Sequence, residues 1–186
     1  MRDPATDGRP ALEGLLARAL GRPAAVTAVR QLSGGASSAT YLVETEGARF
    51  IFQRDAAQAE GDRGVSRATQ AAVQKRAAAL GVPVAPVLAT TAPADDLGDG
   101  VLTAFVAGEA LAPRWLKLPD YAHARDRLTA QCAQALARLH AAPASHWADL
   151  PLKGGSGADL LDDMFRWYRQ IGVDVPAFDL AFAWLK

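Results

Sequence analysis

Apolar positions alternate with polar ones through much of the first half of the chain and recur every three or four residues in the rest, which predicts strands followed by helices. The exception comes early. "PALEGLLARAL" sets Leu12, Leu15, Leu16 and Leu20 on one helical face and meets Gly21 and Pro23, which stop the helix. "TAVRQLS" and "ATYLVET" then flank the turn "SGGAS", and "ARFIFQR" follows a turn at Gly47, so these runs predict an antiparallel meander. The alanine-rich "RATQAAVQKRAAAL" ends at Gly81 before Pro83 and predicts a helix from about Arg67 to Leu80. "PVLATT" and "GVLTAFVAGEA", separated by the acidic turn "PADDLGDG", predict two more strands and bring the sheet to five. From Pro119 onward the pattern is helical. Leu128, Cys132, Leu136 and Leu139 fall four, four and three residues apart and predict one buried stripe with Cys132 in the core.

Composition narrows the classes of function. A chain of 186 residues, 50% of them hydrophobic, suits one domain or two small lobes with a real core. Its 20 basic and 20 acidic side chains cancel, so no global field draws it to nucleic acid or to an anionic membrane. The lone Cys132 cannot form an internal disulfide, and "MRDPATDGRP" lacks the apolar core of a signal peptide, so a cytoplasmic location is expected. No apolar run approaches the roughly 20 residues that span a bilayer. His123, His140 and His146 have no metal-ligand spacing, and Asp162 and Asp163 lie early in a predicted helix, where acids favour the dipole.

The order of the pieces "QLSGGASSATY", "FIFQR", "LGVPVAPVLA", "GVLTAFVAGEAL" and "CAQALARLH" resembles the aminoglycoside phosphotransferase and choline kinase-like family, a branch of the protein-kinase fold. The resemblance covers nearly the whole chain and implies an amino-terminal portion only of the family. The fold class it implies is α+β, a kinase-like small lobe of five antiparallel strands and one packed helix, followed by the first helices of a truncated helical lobe. The lobe boundary is placed between residues 106 and 107, giving a nucleotide-binding lobe 1–106 and a partial helical lobe 107–186.

The same resemblance implies a site for ATP. Read without it, Ser33 to Ser38 make an ordinary hairpin loop; in similar kinases this hairpin closes over the nucleotide phosphates. Gly34 and Gly35 let successive N–H groups, those of Ala36 and Ser37 included, converge on an anion, with the Ser33, Ser37 and Ser38 hydroxyls as further donors. The main chain of Ala104, Phe105 and Val106 would meet the purine edge. Where the family carries a cation on the third strand and an acid on the helix, this chain has Gln53 and Gln70. A Gln53–Gln70 hydrogen bond would hold strand and helix in register for about 1 kcal/mol. The other register makes Arg54 the cation, with Glu60 or another acid as its partner.

"HGDxxxxN" and the second metal-binding aspartate of the family do not occur in the sequence. The implied function is therefore the nucleotide-binding part of an ATP-dependent small-molecule phosphotransferase, with weak or lost ATP binding, no expected magnesium and no turnover by this chain alone. A non-catalytic nucleotide-binding or interaction relic is the alternative. Aromatic and leucine side chains after Gly157 predict self-association through exposed helices.

Overall fold

The computed structural model describes residues 1–32, 38–55, 65–152 and 156–185, and the chain divides into two compact units, Met1–Leu150 and Pro151–Lys186. In the first unit the early helix forms as α1 (Arg9–Leu20). It has a proline in its first turn, where a missing N–H costs nothing, and Leu12, Leu15 and Leu16 are fully buried. Strands β1 (Val26–Leu32), β2 (Ser38–Thr45), β3 (Ala48–Asp55), β4 (Val87–Thr90) and β5 (Gly100–Ala104) make a five-stranded antiparallel sheet of order β1-β2-β3-β5-β4.

Burial along β3 has the period of two that a strand imposes. Phe50, Phe52 and Arg54 are buried, and Ile51, Gln53 and Asp55 between them are half-buried. Phe50 and Phe52 join Leu12, Leu15, Leu16, Tyr41, Val43 and Leu102 in the core beneath α1. Gly100 opens β5 against this core. A Cβ there would lie 2.7 Å from two carbons of the Phe52 ring, so only glycine lets β5 approach β3 so closely.

Helix α2 (Arg67–Ala79) packs on β4 and β5 and matches the predicted bounds to one residue. Ser66 caps it, its hydroxyl accepting the Thr69 N–H at 3.2 Å. β5, in contrast, is shorter than "GVLTAFVAGEA" predicts. Its neighbour β3 starts at Ala48, and one last main-chain bond, from Phe105 N–H to the Arg49 carbonyl at 3.3 Å, closes the ladder. The sequence reading also missed α3 (Ala112–Lys117). Glu109 supports its start by accepting the Leu111 N–H at 3.0 Å and pairing with Arg114 at 2.8 Å.

The predicted buried stripe is corrected. It lies on α4 (Ala122–Ala141), but Leu128 is 38% and Leu136 53% exposed, and Cys132 is exposed rather than core. Helical spacing aligns side chains, whereas burial needs a facing element. Within the first unit the neighbours of α4 are chiefly α3 and the short turn Pro119–Tyr121, too small to cover 20 residues.

The second unit pairs α5 (Gly157–Ile171) with α6 (Pro176–Leu185). Ser156 and Asp159 form a reciprocal cap at the start of α5. Between the helices Tyr168 stacks on Phe182 at 5.5 Å and meets Phe178 edge-on at 5.8 Å, and Phe165 meets Phe182 at 5.1 Å. The Tyr168 hydroxyl accepts the Val175 N–H at 2.8 Å. Much of the aromatic surface after Gly157 is thus used between these helices, although Leu160, Trp167, Leu180 and Trp184 remain exposed. No helix among the described residues is long and apolar enough to cross a membrane.

Candidate functional site

Directly opposed residues of an antiparallel pair point to the same face of a sheet. Gln53 faces Thr40 on β2 and Val101 on β5, and Asp55 faces Ser38, so Ser38, Thr40, Gln53 and Asp55 share one face. Arg54 shares the other with Phe50, Phe52 and the core. The predicted alternation of Gln53 and Arg54 between faces follows from strand geometry alone. Arg54 donates to the Arg2 carbonyl at 2.6 Å and to the Tyr41 hydroxyl at 3.1 Å, with its guanidinium 5.5 Å from the Tyr41 ring.

Of the candidates in the first hairpin, Ser38 opens β2. Ser33, Gly34, Gly35, Ala36 and Ser37 lie outside the described residues, as does Glu60. Ala104 ends β5, its N–H donating to the Pro86 carbonyl at 2.9 Å. The Phe105 ring lies under the Arg49 guanidinium at 4.1 Å. Val106 is 63% exposed, and its N–H has no partner among the described residues.

The expected Gln53–Gln70 bond does not form. Gln53 donates to the Thr40 hydroxyl at 3.5 Å, while Gln70 donates to the Val65 carbonyl at 2.9 Å and accepts from Arg67 at 3.0 Å. The connection between strand and helix is made instead by Asp55 and Arg67, whose closest N···O distance is 2.6 Å. Sequence reading missed this pair. Its one signal was a cation on the first residue of a helix, where an acid is the local preference.

The far end of α2 is also held. Arg76 grips Asp149 with two bonds, of 2.7 and 2.5 Å, and donates to the His146 carbonyl, while Arg138 of α4 donates to the Gly81 carbonyl. The bonds from Arg76 hold the Asp149 carboxyl below its ordinary value and raise the guanidinium in turn. Among the described residues no three His, Cys, Asp or Glu gather into a metal-binding group.

A match to the Phosphotransferase enzyme family runs over residues 28–186. No curated protein shows significant similarity to the chain. The extent of the family match overturns one expectation, that only an amino-terminal portion of the family is represented, because it continues through the helical segments to the last residue. That expectation leaned on two short motifs missing from the sequence, "HGDxxxxN" and the second metal-binding aspartate. A family-wide pattern instead sums weak preferences over every position, the helices included. From the fold and the extent of this match, the chain belongs to the Phosphotransferase enzyme family.

Proposed function

We propose that the sheet face carrying Gln53, together with the main chain of Ala104, Phe105 and Val106, binds the adenine nucleotide of an ATP-dependent small-molecule phosphotransferase. The observation that carries this reading is the largely exposed Val106, whose N–H has no partner among the described residues and lies just past the strand that pairs with β3. The lobe boundary at residues 106–107 belongs to the same reading, as do Ser33 to Ser38 as the phosphate cover. Binding is weak, because Gln53 and Gln70 are neutral amides and cannot offset phosphate charge as a cation would. Magnesium adds little, and the chain by itself transfers no phosphate to an acceptor, since "HGDxxxxN" is not in its sequence. A cytoplasmic setting suits this chemistry. Self-association through the exposed apolar side chains of α5 and α6 is part of the reading, and velocity sedimentation checks it.

The alternative, a non-catalytic relic, draws support from Gln70, whose amide is engaged at both ends by Arg67 and Val65. Calorimetry separates the two. The nucleotide reading expects ATP to bind with a Kd on the order of 1 mM, about −4 kcal/mol, with or without magnesium. Gln53→Lys should tighten binding about tenfold, roughly 1.4 kcal/mol. No heat from ATP in either protein supports a relic that no longer binds nucleotide, and tight magnesium-dependent binding contradicts the account of the missing charges.

A further inference from the structure

The start of α2 breaks a local rule. Unpaired N–H groups make a helix N-terminus positive, so its first turn favours acids, yet α2 has none there and opens on Arg67. The cation is held against that field from two other elements. Asp55, the last residue of β3, accepts from Arg67 Nε at 2.8 Å and lies 2.6 Å from Nη2. Asp99, just before β5, accepts the Arg67 main-chain N–H at 2.9 Å, and its own carbonyl accepts the Asp55 N–H at 3.2 Å. The remaining guanidinium nitrogen, Nη1, donates to Gln70 and fixes that amide. The two charged side chains are only 12% and 22% exposed, so removing either partner leaves the other poorly solvated and unpaired.

In protein kinases one strand cation does two tasks, meeting the nucleotide phosphates and pairing with a helix acid that aligns the helix. Here the two tasks fall on different residues. Resting on the nucleotide reading above, we propose that Asp55 and Arg67 are positioning residues of that site. They form a charge pair of inverted polarity, acid on the strand and cation on the helix, which aligns α2 on β3 and leaves Gln53 uncoupled from that alignment. Loss of the pair then loosens α2 and weakens the ligand through it. A change at Gln53 alters the ligand and leaves α2 as it was.

The test is amide hydrogen exchange of α2 in the full chain, beside calorimetry with ATP, for Arg67→Met, Asp55→Asn, Gln53→Ala and the double exchange Asp55→Arg with Arg67→Asp. Arg67→Met and Asp55→Asn should each speed exchange across α2 about tenfold, the size of a coupling between residues in contact, and weaken ATP several-fold. The double exchange should return much of both losses, helped by the acid it places at the helix start. Gln53→Ala should change ATP affinity with α2 exchange at the wild-type rate. Wild-type exchange in Arg67→Met, or a double exchange no better than either single change, overturns the proposal. Should Arg67→Met fail to fold, Arg67→Gln removes the charge and keeps a polar side chain; exchange equal to wild type there overturns the proposal too. A wild-type chain that binds no ATP defeats the nucleotide reading, while the exchange rates still decide the pairing.

Discussion

Gln53 and Arg54 are neighbours in sequence with opposite surroundings, one half-buried beside Thr40 and the other buried against Tyr41 and the chain start. A strand's alternation is enough to separate them, which is why a shift of one residue in reading "FIFQR" moves a positive charge from one face of the sheet to the other. Single atoms matter equally at Gly100. Its missing Cβ would sit 2.7 Å from Phe52, whose side chain is fully buried, and 3.2 Å from the Gln53 carbonyl, so neither neighbour has room to retreat. Gly100→Ala is therefore expected to destabilise the chain by about 1–3 kcal/mol, the usual range for overpacking. Urea unfolding should show a lower midpoint with an unchanged slope. An unchanged midpoint would mean that β5 moves away from β3 more freely than its packing indicates.

Elements are held to one another by contacts of quite different legibility. α1 is tied to the turn Pro93–Asp95 by Arg18, which donates to Asp95 at 2.6 Å, and this bond, aided by the Ala92 N–H and working against burial, which raises the value, holds the Asp95 carboxyl below its ordinary 3.8. A lowered carboxyl stabilises the fold above the unfolded value and loses that contribution as pH falls through the folded value. Arg18→Gln should thus be less stable than the wild type at neutral pH, and the gap should close as pH drops below 3.8. Urea midpoints at a series of pH values measure it; parallel curves would contradict the assignment. None of this is visible in the sequence, because Arg18 and Asp95 lie 77 residues apart. The bounds of α2 were legible, since Ser66 and Gly81 mark them locally. The stripe on α4 was legible as spacing and illegible as burial, which depends on what faces it. At the candidate site, the amides at positions 53 and 70 could be read from the chain. The Asp55–Arg67 pair could not, because it needs the strand end and the helix start brought together in space.

At the scale of the molecule, two compact units share one chain, and the smaller depends on a few rings. Tyr168 is 7% exposed, touches Phe165, Phe178 and Phe182, and satisfies the Val175 N–H. Truncating such a residue costs about 3–5 kcal/mol, more than a pair of short helices can spare. Tyr168→Ala is expected to melt α5 and α6 while the sheet unit keeps its own transition. Circular dichroism would show lost helix, and the near-ultraviolet signal of the core tyrosine Tyr41 would persist; simultaneous loss of both would show that the two units unfold together. The larger unit has a different mechanical character. α2 is fastened near its start to β3 and to the turn before β5, and near its end to the segment that follows α4. A rod pinned at both ends transmits a push instead of absorbing it. Gln70, held by Arg67, lies on this rod roughly 9 Å along the axis from Arg76 at 1.5 Å per residue, so that amide and the fastening to the surface loop are less than two helical turns apart.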